Sequence, residues 1–276
     1  MIRTTAARGA ERAVAEILAR SIQDVLGDNL FAVYLAGSAV TGGFDPDVSD
    51  LDLVVVTAGP AAEMDLAGLE LMHRHFVRDH PAWSDRIEAV YVGRSTLESF
   101  HTSTDPLAVI SPGEPLHLRD DAAALWLQNW YLTREVGVSL VGPPASDVVP
   151  PISWREFVGA IADYAHELAN RIDGDLSPGA LAYEVLTVCR AAMTVLTDRH
   201  VSKRDGAAWV SARWPESAEL ISAALRCRHS RGAVGFGDAS TQSAARELVH
   251  RLAAEICATS AVSRAGQGAG RTGRRR

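Results

Sequence analysis

Apolar positions recur at helical spacing over residues 5–26, where Val14, Ile17, Leu18, Ile22, Val25 and Leu26 share a face and the pattern stops at Gly27. The spacing predicts an amphipathic helix. A short run of strand formers follows at 31–35, and the unbroken valines of 51–57 predict a strand buried on both faces. Helical spacing returns over 64–79. Residues 86–92 alternate as a third strand, with Ile87 and Ala89 on one face and Glu88 and Val90 on the other. Residues 93–115, rich in Ser, Thr and Pro, read as loop, and 116–119 as a further strand. Asp120 or Asp121 then caps a helix to about 136, on which Trp126 and Trp130 share a face expected in the core.

Proline pairs at Pro143-Pro144 and Pro150-Pro151 suit neither helix nor strand and mark a linker. Beyond it the pattern is helical throughout, at 154–172, 179–199, 204–214, 215–228 and 241–259. From Ser263 the chain holds Gly, Arg, Ser and Gln with little to bury. The expected organisation is an α+β domain over 1–150, an all-helical domain over 151–262 and a disordered basic tail over 263–276.

Composition narrows the class. With 276 residues, 47% hydrophobic content and a net charge of −7, the chain reads as an ordinary soluble protein with no general affinity for nucleic acid and a mild preference for a cationic ligand. No run approaches membrane-spanning length, and no signal peptide is evident. Cys189, Cys227 and Cys257 lack paired spacing, which argues against disulfides and zinc and for a reducing cytoplasm. A monomer is expected. His73, His75 and His80 look like a metal cluster, but His73 and His75 point apart on a helix and are expected in solvent. Asp45 and Asp47, beside Pro46, are expected to stabilise a turn.

The chemistry concentrates before the valine run. Asp50 and Asp52 lie two residues apart at the mouth of a strand and so share a face. Two such charges repel unless a cation joins them, and hard oxygen ligands suit Mg²⁺, which shares its shell with substrate phosphates. The turn at Gly37-Ser38 can present N–H groups and a hydroxyl to phosphate oxygens. Glu88, planted mid-strand, can take the proton of a hydroxyl attacking the α-phosphorus of a nucleoside triphosphate. Of 27 basic residues, all are arginine except Lys203, whose compact ammonium suits a phosphate.

Gly37-Ser38 followed by Asp50-Leu51-Asp52 resembles the signature of the DNA polymerase β-type nucleotidyltransferases. The stretch 34–43 with 49–53 is similar to the aminoglycoside adenylyltransferases that modify streptomycin and spectinomycin, as are Arg134-Glu135, 140–143, 185–190, Lys203, Ala208-Trp209 and 213–215. The resemblance implies a small mixed sheet with flanking helices, then the helical domain. It implies Asp50 and Asp52 as Mg²⁺ ligands, Glu88 as catalytic base, and Gly37, Ser38, Ser49, Arg190 and Lys203 as the ATP-binding set. The acceptor it implies is a hydroxyl of a small, cationic aminoglycoside or aminocyclitol. Asp173, Asp175 and Glu184 are nearby acids that could meet an amino sugar. Two alternatives stay open from the residues: adenylylation of a protein or another metabolite, and a non-catalytic nucleotide sensor.

Overall fold

The computed structural model describes residues 9–120, 123–230 and 236–268. The chain divides between Ser153 and Trp154 into two compact units. The first runs through α1 (Ala10–Leu26), β1 (Leu30–Leu35), the short helix α2 (Gly37–Thr41), β2 (Leu51–Thr57), α3 (Leu66–Asp79), β3 (Ile87–Gly93), α4 (Arg94–Glu98), β4 (Leu107–Ser111), β5 (Glu114–Arg119), α5 (Leu127–Val136), β6 (Val138–Val141) and α6 (Ala145–Val148). Among the described residues the strands form one six-stranded sheet in the order β5-β4-β3-β2-β1-β6. Only β2 and β3 run parallel; the other adjoining pairs are antiparallel. A parallel pair needs a crossover, and α3 supplies it.

The two faces of the sheet differ in character. On one, Leu18, Ala19 and Ile22 of α1 and Leu69 and Phe76 of α3 pack on Val33, Leu35, Leu51, Leu53, Val55, Ala89 and Tyr91 in a single buried cluster. Each large apolar side chain buried there contributes about 1.5–3 kcal/mol. The opposite face holds Tyr34, Val54, Val56, Val90 and Val92, also buried. At the start of β2 and β3, that second face carries Asp52 and Glu88 instead of valine.

Several local expectations need correction. Leu107–Ser111 is a strand within the segment read as loop, because Leu107, Ala108 and Val109 are fully buried between β3 and β5. Val138–Val141 is an edge strand on β1, and Gly37–Thr41 and Arg94–Glu98 are short helices instead of loop. His73 is 2% exposed, not in solvent. Its Nε2 lies 2.6 Å from the Tyr91 hydroxyl, its Nδ1 has no partner, and burial lowers its pKa to about 4. Of the two tryptophans expected in the core, Trp130 is fully buried and donates to the Ala123 carbonyl at 2.8 Å, while Trp126 is half-buried.

The second unit consists of α7 (Trp154–Arg171), α8 (Pro178–Thr197), α9 (Lys203–Arg213), α10 (Ala218–His229) and α11 (Ala239–Gly268). The central helix, α8, packs against the other four. An 18-residue window of this 20-residue helix reaches a mean hydropathy of 1.4, long and apolar enough to span a membrane by composition, contrary to the expectation that no run approaches that length. That window is 67% buried inside the protein, which accounts for its composition. The backbone of α11 stays helical through Gly268, beyond residue 262 where the helical domain was expected to end; residues 269–276 of the expected tail lie outside the described residues.

Candidate active site

The parallel register of β2 and β3 sets Asp52 directly opposite Glu88. Residues opposite one another in a sheet point to the same face, so the two carboxylates stand side by side on neighbouring strands. Both are half-buried, whereas Leu51, Leu53, Ile87 and Ala89 on either side of them in sequence are buried towards the helices. Asp50 precedes Asp52 by one full pleat and is half-buried too. Three acids thus lie along the chain at the start of the parallel pair.

Gly37 explains why a glycine stands at the end of β1. Its φ is +59°, in the left-handed region, and a Cβ there would fall on the Asp52 carboxylate, lying 2.7 Å even from the Asp52 Cβ. The Ala36 N–H donates to the Asp52 carbonyl at 2.9 Å, which holds this turn against β2. Helix α2 begins at Gly37 with no side chain capping its first turn, and buried Ala39 and Val40 anchor it to the core. Gly37 and Ser38 are therefore brought directly beside Asp52.

The loop 42–50 is held from inside. The Ser49 and Val48 N–H groups donate to the Asp45 carbonyl, and the Asp47 N–H donates to the Asp45 side chain at 3.3 Å, the turn expected from these aspartates. Ser49 is 1% exposed, and its hydroxyl accepts from the Asp45 N–H at 2.9 Å. The sequence reading missed Arg86. This arginine is 6% exposed and donates to the carbonyls of Ser49, Pro46 and Ala82. Nothing in the side-chain pattern announces it, because all three of these acceptors are main-chain oxygens.

Carboxylate oxygens are the hard donors Mg²⁺ prefers, and the Asp50–Asp52 pair fits such an ion. Among the described residues no three His, Cys, Asp or Glu side chains gather closely enough to hold a metal by themselves. Mg²⁺ does not require this: it commonly takes one or two carboxylates and completes its shell with water and substrate phosphate.

Within the helical unit, Arg190 lies on α8 and Lys203 opens α9. The two helices meet so closely that a Cβ on Gly206 would lie 2.6 Å from the Arg190 backbone, and Ser202 caps α9 by accepting from the Asp205 N–H at 3.0 Å. Lys203 Nζ sits 3.3 Å from the centre of the Tyr183 ring. His200, three residues before Lys203, has its pKa lowered to about 3 by burial and by the Arg190 charge. Two of the three acids named for an amino sugar, Glu184 and Asp173, are engaged otherwise. Glu184 accepts from Tyr164 Oη and from Arg171 Nη2, each at 2.7 Å, while Asp173 meets His250 at 3.1 Å. Burial, foremost, and then the Glu184 charge push the Tyr164 hydroxyl pKa up.

Known proteins match both units. The nucleotidyltransferase domain family matches residues 17–112, and the family of aminoglycoside adenylyltransferase C-terminal domains matches residues 147–255. Among solved structures, spectinomycin adenyltransferase AAD(9) from Enterococcus faecialis, determined with ATP and spectinomycin, is similar with a TM-score of 0.64 and 19% identity. That likeness covers 86% of this chain and 98% of the other. A nucleotidyltransferase match over the sheet that bears the acids, together with an adenylyltransferase match over the helices, makes this chain an aminoglycoside adenylyltransferase-like nucleotidyltransferase, an enzyme of adenylyl transfer.

Proposed function

We propose that the chain transfers AMP from ATP to a hydroxyl of an aminoglycoside or aminocyclitol, using Mg²⁺ held by Asp50 and Asp52. The observation that carries this reading is the register placing Glu88 beside Asp52. Bound at the aspartates, Mg²⁺ would neutralise charge on the triphosphate oxygens and orient the α-phosphate. Glu88 accepts the proton of the acceptor hydroxyl as its oxygen bonds to the α-phosphorus, and the bond to pyrophosphate breaks. Gly37 and Ser38 offer N–H and hydroxyl donors to the phosphate oxygens. For Arg190 and Lys203 the resemblance and the phosphate chemistry of the two cations support a contact to ATP phosphate. The Ser49 hydroxyl, bonded to Asp45, supports a part in shaping the loop more than in touching phosphate. An amino-bearing acceptor agrees with the net charge of −7 and with the spectinomycin bound by the similar solved structure. The enzyme is proposed to act as a monomer in the cytoplasm.

The test is pyrophosphate release by purified protein with ATP and Mg²⁺, against a panel containing spectinomycin, streptomycin and other aminoglycosides. Release is expected with a member of the panel, and Asp52→Asn and Glu88→Gln each lower kcat by about 10³-fold. Glu88→Gln retains ATP binding by calorimetry. Absence of acceptor-dependent release, or undiminished turnover in Glu88→Gln, overturns the reading.

A further inference from the structure

We propose that Arg86 is the positioning residue of this site: its buried guanidinium fixes the loop 42–50 and thereby sets how tightly the aspartate pair holds a divalent cation. The proposal rests on the reading of Asp50 and Asp52 as metal ligands. Arg86 grips the residues on both sides of Asp50. Its Nε, at 3.0 Å, and Nη2, at 2.5 Å, both donate to the carbonyl of Ser49, the residue before Asp50. Its own carbonyl accepts the N–H of Leu51, the residue after, at 2.8 Å. Asp50 is thus bracketed by a side-chain clamp and a main-chain bond from one arginine.

The same guanidinium reaches further. Its Nη2 donates to the Pro46 carbonyl at 2.7 Å and its Nη1 to the Ala82 carbonyl at 3.3 Å, tying the loop to the segment that leads into β3. It lies over the Trp83 ring, 4.8 Å from the centre, and Phe44 of the loop stacks on that ring at 6.4 Å. Taking an arginine out of water is costly, and the arrangement persists because planar donors match several carbonyls at once. A lysine cannot reproduce that fork. Because these acceptors are main-chain atoms, the contact restrains where Asp50 points whatever side chains the loop carries, which is how outer contacts tune a metal site.

The experiment is Mn²⁺ titration by electron paramagnetic resonance, with a non-hydrolysable ATP analogue, on wild type, Arg86→Lys, Trp83→Leu and Asp52→Asn, each corrected for its folded fraction. Arg86→Lys is expected to raise the Mn²⁺ Kd about tenfold. Trp83→Leu, which removes the ring and leaves the carbonyl acceptors, is expected to raise it about threefold and covers the case in which the lysine variant does not fold. In turnover, the half-saturating Mg²⁺ concentration rises in parallel while the acceptor KM stays put. Wild-type Mn²⁺ affinity in both folded variants overturns the role of Arg86 and leaves the aspartates in place. Wild-type binding that Asp52→Asn does not weaken overturns the metal reading itself, and this proposal with it.

Discussion

Glu88 in the sheet unit and Glu184 in the helical unit are both acids carried on core elements, and their surroundings differ in kind. Glu184, 7% exposed, receives hydrogen bonds from Tyr164 and from Arg171, so a cation and a phenol of its own unit balance it. The neighbour that strand register gives Glu88 is another acid, Asp52, with Asp50 one pleat away. An acid matched by a cation holds helices together. An acid placed beside a second acid is an arrangement that a fold keeps where chemistry needs it.

The most severe way to break this contrast is Gly37→Ala. A methyl group there strikes the Asp52 carboxylate and must also adopt a left-handed φ, so turnover is expected to fall by about 10²-fold or more and stability by about 2–3 kcal/mol. Pyrophosphate release and urea unfolding read the two effects. Next is the sheet's other face, where His73 is buried neutral with its pKa lowered to about 4. The unfolded chain binds a proton near pH 6.5, which the native state resists, so His73 contributes fully above that pH and its contribution is lost as pH falls from 6.5 to 4, by up to about 3 kcal/mol. The His200 shift acts in the same direction. Urea unfolding at pH 7.5 and 4.5 should show the loss in wild type and a smaller one in His73→Leu.

Glu184→Ala tests the helical side. It leaves the partly exposed Arg171 and Tyr164 without their acceptor and is expected to cost about 2 kcal/mol, with kcat/KM per folded molecule within about twofold of wild type. A large loss of turnover there would collapse the distinction between the two glutamates. The mildest test is Ser202→Ala, which removes the cap of α9 and should cost about 1 kcal/mol while raising the ATP KM, since Lys203, the proposed phosphate contact, opens that helix.

Local patterns in the sequence were legible where they were self-sufficient. The valines of β2 and the two-residue spacing of Asp50 and Asp52 specify a buried strand and a shared face without reference to any partner. β6 was not legible: its four half-buried residues are strand only because β1 lies alongside, and the Gly-Pro-Pro that follows reads as linker. β4 sat in a segment whose Ser, Thr and Pro content outweighed three buried residues. His73 carried a readable signal, since Leu69, His73 and Phe76 fall on one helical face and are the buried positions of α3. That His73 and His75 point apart on the helix excludes a shared metal but does not place both in solvent, because one of two diverging side chains can face the core. Arg86 lay beyond reach because hydrogen bonds to main-chain oxygens leave no trace in residue types.

The parallel pairing of β2 and β3 gives this enzyme's chemistry a parity. One residue inserted between Arg86 and Ile87, with the chain before it held in register, would turn Glu88, the proposed base, towards α1 and α3 and Ile87 to the opposite face, whereas the same insertion in the turn 58–63 could be absorbed without inverting either strand. A change of length within β3 is therefore tolerated or inactivating according to whether it shifts the strand by an even or an odd number of residues, a constraint no single side chain reveals.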